Sequence, residues 1–319
     1  MNTENACLEL ESKPEVETIT WSNLPRWAHR TYNSDLKTYI PAHQSITLSG
    51  IAHSLFPSLK KPLFLIGSPR SGTTFLGKCI ASLPEISYHF EPIATKAAAR
   101  YVYDGRWSET EAKWFYKSVY KWLMRVHFNG NLRFAEKTPR NCFLIPFLAK
   151  AFPDAQFIHI LRDGRDVALS LSKKPWFLAS EAKSGRFEPG GYPYGPFAQF
   201  WVEPERVKEF ETTSDIHRCI WVWRRFTEEA ISGLQGLSSN RYLEIRYESL
   251  AFETHKETQR LKDFLNIKSS TSFEPFRKAL LEVNPKLSAQ WKTQLSDSQL
   301  SEIDYEAGEI LSSLGYYSE

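Results

Sequence analysis

The sequence contains little cysteine and no long apolar run. The four cysteines, Cys7, Cys79, Cys142 and Cys219, are widely spaced and form no C-x-x-C pair, so unpaired thiols in a reducing compartment are the simpler interpretation. No apolar stretch approaches the roughly 20 residues of a membrane span. The N-terminus, MNTENACLELESKPEVE, is too acidic and polar for a signal peptide. These absences predict a cytoplasmic protein with no membrane span.

The charge balance does not indicate a particular class of binding partner. A net charge of +3 on 319 residues is too small to indicate a nucleic-acid or membrane partner, although it does not oppose an anionic ligand. Hydrophobic content of 42% and charged content of 24% are those of an ordinary globular protein. The length allows one large α/β domain or two smaller ones.

A strand, a glycine loop and a helix follow one another near residue 67. Leu63–Ile66 is a short apolar run typical of a buried strand, Gly67–Gly72 is rich in Gly, Ser and Pro, and a helical pattern begins at Thr73. Backbone N–H groups and the helix dipole then converge on one point, where Thr73 and Thr74 add hydroxyls and Arg70 adds a planar cation. We interpret this stretch as a loop that binds phosphate or phosphosulfate.

The loop differs from that of nucleoside triphosphatases. Gly67 and Gly72 match the G-x-x-x-x-G frame, but Thr73 stands where the phosphate-binding lysine is required. An ATP-dependent kinase on the same fold therefore remains only as an alternative.

A second strand–loop–helix unit lies further along the chain. Gln156–Leu161 is β-rich and apolar, as expected for a parallel strand covered on both faces. Arg162 leaves its carboxyl end, and Ser170 lies about one turn inside the following helix, so both can face one anion. A competing interpretation makes Asp163 a Mg²⁺ ligand, although the first loop lacks the lysine that accompanies such a site.

These units and a third strand at Arg241–Arg246 predict the fold and domains. We expect an α/β fold with a P-loop-type parallel sheet flanked by helices. Residues 1–60 are predicted to be a partly disordered extension packed on the core, and residues 61–319 a single domain. The aromatic connection at about 175–215 is predicted to be a lid or binding loop.

The two loops resemble the nucleotide sites of sulfotransferases that use 3′-phosphoadenylyl sulfate (PAPS). PRSGTTFL resembles the 5′-phosphosulfate loop, closest to the carbohydrate and protein-tyrosine branches, which carry Arg where the cytosolic branch carries Lys. Arg162 and Ser170 resemble the 3′-phosphate site, with the same separation of eight residues. The resemblance covers Pro62 to Tyr316 and implies a three-layer α/β/α fold. Contacts to the nucleotide are implied for Arg70, Ser71, Gly72, Thr73, Thr74 and Phe75.

The resemblance also implies catalytic roles. Glu91, in FEP, corresponds to the proposed general base, while Arg70 and Lys137 would neutralise charge on the transferring sulfonate. The alternatives are Glu91 as a structural residue that caps a turn or pairs with Arg100, His89 as the base, and Lys137 in an ion pair with Glu136.

Three further residues are implied near the nucleotide. Tyr247, in YESL, resembles a tyrosine that ends the family's third strand. Lys286 and Trp291, in NPKLSAQW, correspond to a basic and aromatic loop that closes over the nucleotide.

The function predicted is transfer of a sulfonate from PAPS to a hydroxyl acceptor, a carbohydrate or another small-molecule alcohol. The product would be adenosine 3′,5′-bisphosphate (PAP), with no metal and no nucleic-acid partner. The Golgi enzymes of the carbohydrate and protein-tyrosine branches are anchored by a membrane helix. The lack of such an anchor here suggests a bacterial enzyme. A catalytically inactive nucleotide-binding module is the second alternative.

Overall fold

The computed structural model describes residues 23, 25–31 and 48–317. Most of the N-terminal extension predicted for residues 1–60, including the part predicted to be disordered, lies outside the described residues. Residues 25–31 form helix α1, in which Trp27 is fully buried in the main hydrophobic core. The backbone N–H of Ala94 donates to Thr31 Oγ1 across 2.9 Å. This short helix is therefore tied directly to the domain.

The centre of the fold is a sheet of five parallel strands. The strands are β1 (Leu63–Ile66), β2 (Ile86–Phe90), β3 (Arg133–Lys137), β4 (Gln156–Leu161) and β5 (Tyr242–Arg246). Their order across the sheet is β2-β3-β1-β4-β5, and every adjacent pair is parallel. The connections after β1 and after β4 run to opposite sides, so the sheet has a topological switch point between these two strands. Ligands of open α/β sheets bind outside the carboxyl ends of the strands at such a point.

Helices cover both faces of the sheet. They are α2 (Leu48–Leu55), α3 (Thr73–Ala81), α4 (Ile93–Tyr103), α5 (Glu109–Val126), α6 (Ile145–Ala151), α7 (Gly164–Leu171), α8 (Val207–Thr212), α9 (Asp215–Gln235), α10 (Tyr247–Phe252), α11 (Thr254–Leu265), α12 (Ser270–Leu280), α13 (Trp291–Gln294) and α14 (Asp297–Ser313). No helix in this described part combines the length and apolar character that crossing a membrane requires.

A hydrophobic core lies on each face of the sheet, between the strands and the helices that cover them. The larger lies between the sheet and the face formed by α4, α5, α7 and α9, where Phe64, Tyr120 and Trp223 are fully buried. The smaller lies on the other face, beneath α3, α10, α11 and α12. Strand β1 is buried along its whole length, which explains why its sequence is continuously apolar rather than alternating. The predicted fold class, a parallel sheet flanked by helices, is confirmed.

The connection at 175–215 is more ordered than a plain loop. It contains three 3₁₀ turns and α8, a helix that the sequence did not predict. Its aromatic side chains Phe177, Tyr192, Phe197 and Trp201 are buried. Of these, Phe177 and Trp201 belong to the large core, so part of this connection is packed as core rather than left as a free loop.

Candidate functional site

The loop between β1 and α3 forms a concave backbone turn. Gly72 begins the helix with a φ of +97°, a region that L side chains rarely adopt. A Cβ added at Gly72 would lie 2.7 Å from Cδ2 of Tyr247. Glycine is therefore required here both by the backbone conformation and by the approach of Tyr247, which lies directly beside the loop.

The side chains after Arg70 differ in exposure. Ser71 is buried, and its Oγ has no hydrogen-bond partner among the residues that the structure describes. Thr73 is buried, Thr74 is exposed and Phe75 is half-buried against the smaller core. A hydroxyl left unpaired beside a helix N-terminus is suited to an anionic ligand.

Arg70 connects the two loops predicted from the sequence. Its backbone has a φ of +72°, and its Nε donates to Ser170 Oγ of α7 across 3.1 Å. Partial burial and the neighbouring Arg162 guanidinium lower the pKa of Arg70. Two cations held this close favour an anion between them.

Arg162 is buried at the carboxyl end of β4. Its Nη1 donates to the carbonyl of Arg70 across 3.0 Å and its Nη2 to the carbonyl of Leu287, while its Nε has no partner among the described residues. The guanidinium carbon lies 4.9 Å from the centre of the Tyr247 ring. The indole of Trp223 donates to the Arg162 carbonyl across 2.9 Å, which fixes the strand end.

The segment containing Lys286 and Trp291 closes over α7. Asp166 accepts the backbone N–H of Trp291 across 3.1 Å. The indole ring of Trp291 packs against Arg165, whose guanidinium carbon lies 3.7 Å from the ring centre. Lys286 is exposed, next to Leu287. The segment therefore meets Arg162 through a backbone carbonyl, whereas the indole lies against Arg165.

Asp163 is already bonded within its own helix turn. Its carboxylate accepts the backbone N–H of Arg165 across 2.9 Å and forms an ion pair with that guanidinium at 2.7 Å. The carboxylate that the Mg²⁺ interpretation assigns to a metal is thus used as a helix cap and counter-ion.

A second group of charged residues surrounds Glu91. The Lys137 ammonium contacts one carboxylate oxygen of Glu91, and Lys96 Nζ contacts the other at 2.7 Å. Lys96 also lies 3.6 Å from Glu188, whose carboxylate pairs with Arg140. Lys137 and Arg140 are buried, whereas the carboxylates retain 19% and 17% exposure. The two carboxylates are therefore the most exposed members of this group.

The two ammonium groups control the ionisation of Glu91. Burial opposes its charge, but Lys137 and Lys96 outweigh burial and hold its pKa well below the ordinary range. Burial also lowers the pKa of Lys137, despite the attraction of Glu91. Glu91 is consequently ionised throughout the neutral range.

Neighbouring Glu136 and Lys137 do not pair with each other. Consecutive residues of β3 point to opposite faces, and Glu136 is turned toward α5, where it accepts hydrogen bonds from Tyr120 (2.5 Å) and Asn141 (2.6 Å). Burial raises the pKa of Glu136 to about 7. The alternative ion pair considered for Lys137 is wrong, because its carboxylate partner is Glu91.

His89 and Glu91 do not share one side of the strand. Glu91 has a φ of +42°, so the alternation of β2 does not continue through it. His89 is fully buried, stacks on Phe134 at 5.1 Å between ring centres, and bonds Ser87 Oγ through Nε2 at 3.0 Å. It lies on the face of the sheet opposite to Lys137.

Sequence reasoning missed Lys96, Arg140 and Glu188. Lys96 lies on an alanine-rich helix and Arg140 in a turn, and neither carries a motif. Arg100, the partner considered for Glu91, instead donates to Tyr101 Oη across 3.0 Å. Only the packing of the 175–215 connection brings Glu188 to the other two residues.

One further cluster, Glu209, His217 and Glu306, has metal-ligand chemistry, with its donor atoms within 4.8 Å of one another. Its central carboxylate, Glu306, already accepts from Arg206 (2.8 Å) and Arg224 (2.7 Å). Two guanidinium groups thus supply the positive charge that a metal would supply.

A family model and several solved structures are similar to this chain. The model of the sulfotransferase family matches residues 62–271. Sulfotransferase STF9 from Mycobacterium avium is similar in fold, with a TM-score of 0.54, 14% identity, and coverage of 96% of this chain and 88% of that one. A sulfotransferase domain from the curacin biosynthetic pathway has a TM-score of 0.47 and 17% identity, and the match covers 79% of this chain and 98% of that one. Mouse sulfotransferase SULT7A1 complexed with PAP has a TM-score of 0.44 and 15% identity, and the match covers 82% of this chain and 88% of that one. No curated protein has significant sequence similarity to the chain.

Proposed function

The chain belongs to the sulfotransferase family, and we propose that it transfers a sulfonate group from PAPS to the hydroxyl of a small-molecule alcohol, such as a carbohydrate. The family assignment supports sulfonate transfer as the reaction. The identity of the sulfonate donor, the acceptor class and the roles of individual residues are our proposals from the geometry of the site.

The observation that carries the proposal is the convergence of Arg70, Arg162 and Ser170. Residues from two separate strand–loop–helix units meet within hydrogen-bond distance at the switch point of the sheet. Both Ser71 Oγ and Arg162 Nε are buried donors without a partner among the described residues. Unsatisfied donors beside two guanidinium groups fit a ligand with two separate anionic groups, as PAPS has in its 5′-phosphosulfate and 3′-phosphate.

Each loop would hold one end of the donor. The N–H groups at the start of α3, together with Ser71, Thr73 and Thr74, would bind the 5′-phosphosulfate. Arg162 and Ser170 would bind the 3′-phosphate, with Tyr247 packed under the guanidinium. Selectivity for a 3′-phosphorylated nucleotide would follow from the second set.

The transfer itself requires a proton acceptor and charge neutralisation. The acceptor oxygen forms a bond to sulfur while the bond from sulfur to the bridging phosphate oxygen breaks, and PAP leaves. Glu91 takes the proton from the acceptor hydroxyl. Arg70 and Lys137 stabilise the negative charge that develops on the bridging and sulfonate oxygens. PAPS supplies the activated sulfonate, so the chain needs to contribute only position, electrostatics and a base.

The pairing of Lys137 with Glu91 describes the state before the donor binds. A sulfonate placed beside Arg70 offers Lys137 a second anion, and a lysine that turns to it leaves one Glu91 oxygen free. Because a lost cation raises the proton affinity of a carboxylate, Glu91 becomes a better base at that moment. The enzyme would therefore activate its base as the donor binds.

A transfer assay tests the proposal. Purified protein would be incubated with ³⁵S-labelled PAPS and a panel of phenols, simple alcohols and glycosides, and separately with γ-³²P-labelled ATP and Mg²⁺. We expect labelled sulfate ester and an equal amount of PAP from at least one acceptor. Transfer of label from ATP alone would instead establish a kinase, and nucleotide binding with no transfer from either donor would indicate the inactive module.

A further inference from the structure

Lys96 is shared between two carboxylates that come from different parts of the fold. Its Nζ lies 2.7 Å from Oε2 of Glu91 and 3.6 Å from Oε2 of Glu188. Only 12% of the Lys96 side chain is exposed. Since Lys137 contacts the other oxygen of Glu91, Lys96 is the second of two ammonium groups that hold this carboxylate.

Glu188 belongs to a short hairpin at residues 186–194. The hairpin is closed by backbone bonds from Glu188 N–H to the Tyr192 carbonyl and from Tyr194 N–H to the Arg186 carbonyl, both 2.8 Å. Gly190, with a φ of +115°, lies so close that an added Cβ would be 3.3 Å from Cγ of Lys96. The hairpin therefore packs directly on the lysine that contacts the proposed base.

The guanidinium group of Arg140 anchors the hairpin to the domain. Arg140 pairs with Glu188, donates to Gln199 across 3.2 Å, and lies 4.8 Å from the Tyr192 ring. Its Nη1 donates to the Lys96 carbonyl across 2.9 Å. Both the backbone and the side chain of Lys96 are thus tied to the same hairpin, so its ammonium has little freedom to leave Glu91.

Charged groups from four elements surround Glu91 and Lys96. On the cationic side they are Arg70 from the first loop, Lys137 on β3 and Arg140 in the turn after it. On the anionic side they are Glu188 on the hairpin and Glu136, which is turned to the opposite face of β3. Within the part of the chain that the structure describes, Lys96 is the residue whose side chain contacts both Glu91 and Glu188.

We propose that Lys96 is a positioning residue for Glu91, and that the hairpin at 186–194 controls it through Glu188. The proposal rests on the proposed function, in which Lys137 turns to the sulfonate. Lys96 then remains the one ammonium group on Glu91, where it fixes the direction of the free oxygen and keeps the carboxylate ionised. Glu188 draws part of the lysine's charge away from Glu91, which prevents the base from becoming too weak.

Substitutions of Lys96 and of Glu188 should change the proton affinity of Glu91 in opposite directions. Removal of the ammonium in Lys96→Met raises the proton affinity of Glu91, whereas removal of a neighbouring negative charge in Glu188→Gln lowers it. A purely structural role for either residue would reduce activity without a signed change of this kind. The opposite signs make the proposal specific.

A ¹³C NMR titration of the Glu91 carboxyl in protein labelled at glutamate tests it without an acceptor, with the Glu91→Gln spectrum to assign the signal. In Lys96→Met we expect the midpoint to rise by about one pH unit or more, and in Lys96→Arg to stay near the wild-type value. An unshifted midpoint in folded Lys96→Met would overturn the proposal. If Lys96→Met does not fold, a Lys96→Arg protein with a midpoint raised as far as one unit contradicts it equally.

The kinetic test uses the best acceptor from the transfer assay. The acid limb of the kcat–pH profile should shift to higher pH in Lys96→Met and to lower pH in Glu188→Gln. Glu181→Gln is the matched control, because Glu181 lies in the same connection but pairs with Arg186 at 3.6 Å. An equal shift in Glu188→Gln and Glu181→Gln would contradict the proposal. A wild-type protein that transfers no sulfonate defeats the proposed function instead, while the NMR titration still decides the role of Lys96.

Discussion

Arg162 donates a hydrogen bond from Nη1 to the backbone carbonyl of Arg70 across 3.0 Å. The bond joins the carboxyl end of β4 to the loop after β1, and the reverse contact from Arg70 Nε to Ser170 Oγ closes the pair. Two loops far apart in sequence therefore form one cationic site, in which Arg162 is buried.

Glu91→Gln should abolish most of the transfer. Gln keeps the shape of the side chain but cannot accept a proton, so we expect the turnover rate to fall roughly a hundredfold to ten-thousandfold. Affinity for PAP should change little, because no contact to the nucleotide is assigned to Glu91. Single-turnover transfer and calorimetric titration with PAP measure the two effects separately.

The control for this variant is Glu109→Gln. Glu109 is an exposed glutamate paired with Lys150, remote from the site, and its loss should alter neither quantity. Transfer at the wild-type rate in Glu91→Gln would show that another group accepts the proton.

Gly72→Ala should damage both stability and nucleotide binding. Alanine would have to adopt a φ of +97° with its Cβ 2.7 Å from the Tyr247 ring, which we expect to cost about 1–3 kcal/mol in free energy of unfolding. Urea denaturation and PAP titration would measure the losses.

Gly308→Ala provides the matched comparison. Gly308 lies within α14, and an added Cβ meets nothing within 4 Å. Replacement there should stabilise the protein by up to about 1 kcal/mol. Equal stability in the two variants would contradict the tight loop described here.

Glu136→Gln should change how stability depends on pH. Burial raises the pKa of Glu136 from 4.5 to about 7, so the folded state binds this proton more tightly than the unfolded state does. Wild-type protein therefore loses this contribution to stability as pH rises from about 4.5 to about 7, whereas a glutamine has no proton to lose.

The difference in free energy of unfolding, variant minus wild type, should accordingly increase by on the order of 2–3 kcal/mol between about pH 5 and about pH 8. Denaturation at several pH values measures it. A difference independent of pH would mean that Glu136 is ionised in the folded protein.

The parts of the fold that depend on local pattern were predictable from the sequence. The apolar run at Leu63–Ile66, the glycines after it and the strand Gln156–Leu161 each appear where expected, because buried parallel strands and phosphate-type loops have strong local signatures. Helix α8 was missed, since only Phe210 of its six residues is buried and so short a segment has no clear periodicity.

The charged cluster was less predictable. Glu136 and Lys137 are adjacent in sequence, yet strand alternation separates them. In the sequence Lys96 looks like an ordinary solvent-facing lysine of a helix, and its burial depends on the hairpin that covers it. The left-handed backbone of Glu91 also breaks the strand alternation that would otherwise place its side chain on the same side as that of His89. Tertiary packing, rather than any local signal, determines these contacts.

The central claim is that the site selects a nucleotide with a 3′-phosphate. Its most direct test is calorimetric titration of the wild-type protein, of Arg162→Ala and of the control Arg260→Ala with PAP and with ADP, all without Mg²⁺. Arg260 lies on α11 and pairs with Glu257, away from the site. We predict preference for PAP in the wild type and the control, reduced roughly tenfold to a hundredfold in Arg162→Ala, because a charge-assisted contact to the 3′-phosphate is lost. Equal affinity of the wild type for PAP and ADP, or binding of ADP only when Mg²⁺ is added, would contradict the account.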